Sequence, residues 1–334
     1  TIGFTNDPYF QCYSIVDERS AAFFALGIAQ QTLKPAALVC TSGSALLNYY
    51  PAIAEAYFSN IPLVVISADR PEYLINIGDG QTINQKNVFA NHILYEANLK
   101  EDVSNSRKKQ NDEPSIIKSI ENKLEVFGDI QKNIQRQNEI EINEALICAK
   151  HKNGPVHINV PFNEPLYEQV DSLSISPEPY VLSDVKGNEN SDISDYSDLW
   201  NNSKRKMVLV GVNTPNEIEQ KYLNELANDA SVIVFTETTS NLHHDEFFPS
   251  IDKIIAPLTD QEFVKLQPDI LITFGGMIVS KKIKMFLRTY QPKQHWHIGS
   301  GQANDTFYCL SNQFKNTVNE VFKDLFINKK DVGS

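Results

Sequence analysis

The feature that most limits the fold of this chain is a series of short, wholly apolar runs separated by helix-like stretches. Residues 36–40 read AALVC and residues 62–67 read PLVVIS, and neither run alternates polar with apolar side chains. Strands of this kind are buried on both faces, which is typical of a parallel sheet covered by helices. Residues 154–161 (GPVHINVP) are interpreted as one more buried strand. The first half of the chain is therefore predicted to be an α/β domain.

Between these strands, apolar residues recur at helical spacing. The stretch 18–31 carries Ala22, Leu26 and Ala29 on one face, and Asp17 precedes it as an N-cap. A second helix is predicted from residue 45 to residue 60. In such an arrangement the loops at the carboxyl ends of the strands are where ligands bind.

The same alternation returns after residue 200 and predicts a second, smaller domain. The predicted strands are 207–212, 231–235, 269–274 and 294–298, and the predicted helices are 218–228 and 281–290. The predicted fold class is thus α/β, with two doubly wound parallel-sheet domains.

Length and local composition predict the domain boundaries. At about 150 residues per domain, 334 residues indicate two domains, which we place at 1–170 and 200–330. Residues 171–199 are rich in Ser, Asp, Pro and Asn without apolar periodicity, and we take them as a linker. The polar segment 100–143 allows helices, but its start, 101–114, is expected to be a mobile surface excursion.

Charge, hydrophobicity and cysteine spacing exclude several classes of protein. A formal net charge of −12 has the wrong sign for attraction to nucleic acid. No run approaches about 18 consecutive apolar residues, so no membrane span is expected. Four widely spaced cysteines without a CxxC pair indicate a reduced, cytoplasmic protein without structural zinc. The chain starts without Met or a signal-peptide pattern, so we expect it to begin inside a longer one.

Two candidate binding positions follow predicted strands. The turn Thr41-Ser42-Gly43-Ser44 offers backbone N–H groups and hydroxyls to a small polar ligand, although such residues are also routine helix caps. Arg70 offers a planar fork suited to a carboxylate, or it forms a surface ion pair with Asp69 or Glu72. Position alone leaves both alternatives open.

Charged residues also stand at two predicted helix starts. Glu18 opens the first helix, where the helix dipole favours an acid on structural grounds alone. Lys281 and Lys282 open a helix after a Gly-Gly turn, where they would hold an anion or simply face solvent. The string His243-His244-Asp245-Glu246 has no suitably spaced third ligand, so we predict no metal site.

Five sequence strings in a fixed order favour a functional role for these positions over a purely structural one. They are DERSAAFFALG at 17–27, CTSGSALLNYYPA at 40–52, SADRPE at 67–72, GQTINQ at 80–85 and GPVHINVPF at 154–162. Together they closely resemble the family of 2-succinyl-5-enolpyruvyl-6-hydroxy-3-cyclohexene-1-carboxylate synthases. These enzymes of menaquinone biosynthesis depend on thiamine diphosphate and are abbreviated here as SEPHCHC synthases.

The resemblance implies a domain organisation. Residues 1–170 are similar to the family's pyrimidine-binding domain and residues 200–330 to its central domain. The third, diphosphate-binding domain, which mainly holds the diphosphate and Mg²⁺ (or Mn²⁺), is absent. That absence fits the lone Gly78-Asp79-Gly80, which has no Asn pair roughly 25 residues further on. We therefore expect a fragment that is incomplete at both ends.

The resemblance also implies a reaction. The family decarboxylates 2-oxoglutarate on thiamine diphosphate and adds the succinyl carbanion equivalent in 1,4 fashion to isochorismate. A carboxyl at the position of Glu18 hydrogen-bonds N1′ of the cofactor's pyrimidine and promotes loss of the C2 proton. The implied cofactor-binding residues are Glu18, Thr41, Ser42, Gly43 and Asn48, and the implied substrate-binding residues are Arg70, Gln81, Lys281 and Lys282. At the last position the family often has Arg, which offers bidentate recognition that Lys282 does not.

The resemblance further implies a homodimer or a dimer of dimers, with Glu18 at a subunit interface. We expect the 334-residue chain alone neither to bind the cofactor tightly nor to turn over. One alternative is another thiamine-diphosphate carboligase or decarboxylase, such as a relative of acetolactate synthase, although the Asp-Arg-Pro and Gly-Gln-x-Ile-x-Gln strings argue against it. The other is a non-catalytic two-domain binding protein, favoured if the reading frame ends near Ser334.

Overall fold

The computed structural model of the chain describes residues 1–101, 118–162, 175–177, 193–301 and 303–326. The chain divides into two compact units, Thr1–Ser183 and Asp184–Ser334. Most of the predicted surface excursion and most of the predicted linker lie outside the described residues.

The described part of the first unit is a parallel four-stranded sheet with helices on both faces. The sheet has the order β1-β2-β4-β3, and every pair of neighbouring strands is parallel. Its elements in chain order are α1 Ile2–Asn6, α2 Glu18–Thr32, β1 Ala36–Cys40, α3 Ser44–Leu47, α4 Tyr50–Ser59, β2 Leu63–Asp69, β3 Tyr95–Asn98, α5 Lys118–Lys152 and β4 Val156–Pro161.

Strand β2 explains why the apolar run is continuous. Leu63 and Val65 pack in one hydrophobic cluster with α2 and α4. Val64 and Ile66 point to the opposite face and pack with α5. Both faces of the strand are therefore removed from water, and each buried side chain of this kind contributes roughly 1.5–3 kcal/mol to stability.

Helix α2 begins where its cap predicts. The Asp17 carboxylate accepts a hydrogen bond from the Ser20 backbone N–H at 2.7 Å. Hydrogen bonds from Ser20 also hold the pKa of Asp17 below its ordinary value. The helix ends at Leu33, whose φ of 55° is left-handed. This cap places Glu18 in the first turn of the helix.

Two features of the first unit differ from the prediction. The helix predicted over 45–60 is split into α3 and α4, since Pro51 lies in the first turn of α4 and has no N–H to continue a preceding helix. Strand β3, with the sequence YEAN, was not predicted because it lacks an apolar run.

The described part of the second unit is a parallel five-stranded sheet of order β6-β5-β7-β8-β9. The two sheets confirm the predicted fold class. The elements in chain order are α6 Ser194–Asn202, β5 Lys206–Val210, α7 Gln220–Ala227, β6 Val232–Phe235, α8 Ile251–Ile255, α9 Asp260–Leu266, β7 Ile270–Phe274, α10 Lys281–Thr289, β8 Gln294–Ile298, β9 Leu310–Phe314 and α11 Val318–Phe326.

The second sheet is also buried on both faces. Val208 and Val210 of β5 pack in a cluster with α6, α7 and α11. Met207 and Leu209 pack on the opposite face with α8 and α10. Helix α6 begins within the segment predicted as linker, and its Trp200 is part of the core of the second unit.

Strand β5 lies between β6 and β7 in the sheet. Because β5 and β7 are parallel neighbours, the loops that follow them meet at the carboxyl edge. The Gly276 N–H donates a hydrogen bond to the Val212 carbonyl at 2.7 Å. A Cβ at Gly211 would lie 2.0 Å from the Gly276 carbonyl oxygen. Glycine is required here because the two main chains are in direct contact.

Two histidines of β8, the buried His295 and the half-buried His297, contact Thr273 of the neighbouring strand β7. The Thr273 hydroxyl is 2.9 Å from His295 Nε2 and 3.0 Å from His297 Nδ1. Burial, together with the neighbouring His297 and against the opposing effect of Asp305, lowers the pKa of His295 to about 4. His295 is therefore neutral in the folded chain at pH values where an unfolded histidine is protonated.

This shift predicts a loss of stability in mild acid. The lowered pKa makes the contribution of His295 fully present above the unfolded value of about 6.5, and that contribution falls as the pH drops toward 4. We expect about 2 kcal/mol of unfolding free energy to be lost from this group between pH 7 and pH 5. His295→Gln, which does not titrate, should reduce the pH dependence of urea unfolding. The same change at exposed His243 should leave it unaltered, and equal slopes for both variants would contradict the assignment.

Candidate active site

The candidate site of the first unit lies at the carboxyl edge of its sheet. Strands β1 and β2 are parallel neighbours in which Cys40 pairs with Ser67. The turn that follows β1 and the loop that follows β2 consequently leave the sheet at the same edge. This edge is where open parallel sheets bind ligands.

The structure brings Gly43 and Gln81 together. Gly43 has a φ of +85°, and a Cβ at this position would lie 2.9 Å from the backbone oxygen of Gln81. Gln81 itself has a φ of 55°, which is uncommon for a residue with a side chain. Ser42 is buried and Thr41 is exposed. The turn therefore has a main-chain conformation that only glycine adopts without strain.

Glu18 is half-buried at the first position of α2. In the part of the chain that the structure describes, its carboxylate has no hydrogen-bond or ion-pair partner. The Glu18 carboxylate is close enough to Cys40, the last residue of β1, to affect its pKa. Burial raises the pKa of Cys40 to about 12, and the negative charge of Glu18 contributes to that rise. Because its thiol stays protonated, Cys40 is not a nucleophile. The carboxylate and the Gly43 turn thus lie at one edge of the sheet.

Arg70 is half-buried in the loop after β2. Its Nε is buried and unpaired among the described residues. The Asp69 carboxylate accepts a hydrogen bond from the Arg70 backbone N–H at 2.8 Å, and Glu72 lies 3.7 Å from Lys86 instead. The alternative of an ion pair between Arg70 and Asp69 or Glu72 is therefore not what the structure has. A buried donor without a partner is costly, which favours a ligand at this position.

The remaining predicted site residues are more ordinary in their contacts. The exposed Asn48 donates its side-chain N–H to the Ser44 carbonyl at 3.3 Å. Lys281 and Lys282 are exposed in the first turn of α10. The backbone donors of Val279 and Ser280 before that helix are already used by the Glu237 carboxylate. The lysine ammonium groups are the charged donors that this helix start offers to an anion.

Sequence reasoning missed a group of buried polar residues beneath this site. Its members, which we call the buried polar network, are Ser67, Asp69, Gln85, Glu96, His157 and Asn159. The available signal was the pair His157 and Asn159 inside the otherwise apolar strand β4. A chain of hydrogen bonds links Ser67, His157 and Glu96 in the order of a hydrolase triad. Ser67 is fully buried, however, so its hydroxyl is not accessible to a substrate.

The described residues contain neither a metal-binding cluster nor a membrane-spanning helix. No group of three or more His, Cys, Asp or Glu side chains there is arranged to hold a metal ion. No described helix is both long enough and apolar enough to pass through a bilayer.

Comparison with known proteins identifies both units. The model "Thiamine pyrophosphate enzyme, N-terminal TPP binding domain" matches residues 3–90, and "Middle domain of thiamine pyrophosphate" matches residues 167–329. The SEPHCHC synthase of Christiangramia forsetii is 55% identical over 318 residues, which cover 93% of this chain and 53% of that protein. The SEPHCHC synthase of Flavobacterium psychrophilum is 54% identical over 325 residues, which cover 97% of this chain and 53% of that protein.

These findings confirm the resemblance that the five sequence strings indicate. The chain spans about half the length of the curated relatives it matches. The matched regions include Glu18, the Gly43 turn and Arg70 in the first unit and both lysines in the second. The chain belongs to the thiamine pyrophosphate enzymes, in the family of the 2-succinyl-5-enolpyruvyl-6-hydroxy-3-cyclohexene-1-carboxylate synthases.

Proposed function

We propose that the protein encoded by the complete reading frame is a SEPHCHC synthase of menaquinone biosynthesis. It decarboxylates 2-oxoglutarate and transfers the succinyl unit by 1,4-addition to isochorismate. The observation that carries the proposal is the Glu18 carboxylate, half-buried at the sheet edge with no partner among the described residues. The names of the relatives give the product, and the family resemblance implies the two substrates.

The residues of the first unit fit the pyrimidine half of thiamine diphosphate. A ring nitrogen needs a carboxyl partner, which Glu18 offers, and the ring's polar edge needs backbone groups, which the turn 41–43 offers. Bound thiamine diphosphate supplies the electron sink that decarboxylation of a 2-oxo acid requires. Glu18 would hydrogen-bond N1′ of the pyrimidine and hold a proton there.

The substrates are anions, and the proposed contacts are cationic or polar. Both 2-oxoglutarate and isochorismate carry two carboxylates. The guanidinium of Arg70 has a buried Nε without a partner, which matches a carboxylate. Gln81 lies next to the Gly43 turn and offers an amide. Lys281 and Lys282 provide further positive charge in the second unit.

Exposed apolar side chains close to Glu18 in sequence support a homo-oligomer. Val16 is 98% exposed, Phe23 44% and Phe24 46%. Large exposed apolar side chains next to one another favour coverage by another subunit. We propose a dimer or dimer of dimers in which a second copy covers this surface and completes the site.

The remaining assignments follow from the relatives and the thiols. We assign Mg²⁺ and the diphosphate group to the part of the relatives that this chain does not cover. A cytoplasmic location is supported by the free thiols Cys12, Cys40, Cys148 and Cys309.

Glu18→Gln tests the catalytic assignment. The amide cannot hold or release the proton at N1′, so kcat for SEPHCHC formation should fall by about 10²–10⁴-fold. The urea unfolding midpoint should change little, because among the described residues no hydrogen bond is lost and the interaction of the acid with the helix dipole is worth only about 0.3–1 kcal/mol. Glu55→Gln, at an exposed position on α4, is the matched control and should keep full activity. A Glu18→Gln enzyme with wild-type kcat would refute the assignment.

Arg70→Lys tests the substrate assignment. Lysine keeps the charge but lacks the planar fork, so KM for isochorismate or 2-oxoglutarate should rise about tenfold or more. Affinity for thiamine diphosphate should not change, as measured by calorimetry with Mg²⁺. Arg288→Lys, on the exposed end of α10, serves as control.

A product assay separates the proposed function from its rivals. Full activity with pyruvate but none with isochorismate and 2-oxoglutarate would favour the acetolactate-synthase alternative. Absence of any turnover, with thiamine diphosphate also unbound, would favour the non-catalytic alternative.

A further inference from the structure

The buried polar network connects the two loops of the candidate site. Ser67, Gln85 and His157 have no exposed surface, and Asp69 and Asn159 are 5% and 3% exposed. Polar groups inside a sheet core are costly unless they are hydrogen-bonded to one another. Their presence under the site therefore calls for a reason beyond packing.

Gln85 is the residue that joins the network to the Gly43 turn. Its side-chain oxygen accepts a hydrogen bond from the Gly43 backbone N–H at 2.8 Å. Its amide donates to the Ala68 carbonyl at 3.0 Å and to Asn159 Oδ1 at 2.8 Å. One side chain thus ties the turn after β1 to the ends of β2 and β4.

A second branch of the network reaches Arg70. The Asn159 amide donates to Asp69 Oδ2 at 2.7 Å. The other oxygen of Asp69 accepts the Arg70 backbone N–H at 2.8 Å. Since Asn159 is also the acceptor for Gln85, the branches to Gly43 and to Arg70 meet at these two amide side chains.

A hydrogen-bonded histidine and carboxylate anchor the network on its far side. Ser67 Oγ lies 2.7 Å from His157 Nε2, and His157 Nδ1 lies 3.1 Å from Glu96 Oε1. Burial alone would raise the pKa of Glu96, but hydrogen bonds from His157, Asn87 and Asn98 hold it below its ordinary value. The anchor is therefore a carboxylate that only accepts hydrogen bonds, which fixes the orientation of the His157 ring.

We propose that Gln85 is a positioning residue that sets the Gly43 turn and the Arg70 loop relative to each other. This inference rests on the proposed function, in which the turn contacts the cofactor and Arg70 contacts a substrate. A turn held by one backbone donor in a left-handed conformation depends on its acceptor, and loss of that acceptor leaves the N–H buried and unpaired. Gln85 itself needs no contact with either ligand.

Two substitutions of Gln85 test the proposal in the protein from the complete reading frame. Gln85→Met keeps the length of the side chain and removes its hydrogen bonds to Gly43, Ala68 and Asn159, so the branches to Gly43 and to Arg70 are no longer joined. We expect it to raise the Kd for thiamine diphosphate and the KM for isochorismate or 2-oxoglutarate about tenfold each. Gln85→Glu keeps an acceptor for Gly43 but removes the amide donor. It should restore cofactor affinity while KM stays raised.

Hydrogen exchange gives a readout that does not depend on activity. The Gly43 amide should exchange faster in Gln85→Met, while the amides of β1 keep their protection. The control is Thr273→Val, which removes a buried hydroxyl from the second sheet. It should lower the urea unfolding midpoint without changing Kd, KM or the exchange of Gly43.

The outcomes separate the two proposals. If the wild-type protein forms no SEPHCHC, the proposed function is refuted. Hydrogen exchange of the Gly43 amide in Gln85→Met still tests the role of Gln85 in that case. Wild-type Kd, KM and Gly43 exchange in Gln85→Met would refute the role of Gln85. If Gln85→Met does not fold, Gln85→Glu tests the role of Gln85 instead. A Kd for thiamine diphosphate and a KM for the substrates that both rise in Gln85→Glu would count against the proposal.

Discussion

Burial of both faces of each sheet is the constraint on which the rest of the structure depends. Once helices cover the two faces of β2, as the packing of Val64 and Val65 on opposite sides shows, polar groups have few places left. They can lie at the carboxyl edge, where Gly43 and Arg70 are found, or inside the sheet if they satisfy one another. The residues of the buried polar network lie inside the sheet, where they satisfy one another, and they are next to the carboxyl edge that holds Gly43 and Arg70.

The same constraint explains how much of the fold the sequence could predict. Central strands such as β2 and β7 are recognisable because each is apolar throughout. The edge strands β3 and β9 contain Glu, Asn and Gln and so lack an apolar run. The other two edge strands, β1 and β6, are apolar throughout and were predicted. The place of β3 and β9 in the sheet comes from pairing with residues far along the chain, which local periodicity does not encode.

The site shows a similar division between local and long-range information. The family strings single out Glu18, Gly43 and Arg70, and the structure adds the unpaired Nε and the contact between Gly43 and Gln81. Gln85 is the last residue of the family string GQTINQ, yet its partner Gly43 is 42 residues away in sequence. No local pattern predicts such a hydrogen bond. Lys281 and Lys282 depend on the family resemblance, because their surroundings are those of any exposed helix start.

The main-chain contact between Gly211 and Gly276 has a consequence for natural variation in this protein. Any side chain at position 211 must force two loops apart at the centre of the second sheet. Such a change destabilises the folded state without touching a proposed catalytic group. Its effect in a cell would be a lower amount of protein with normal turnover per molecule, so selection would act on abundance.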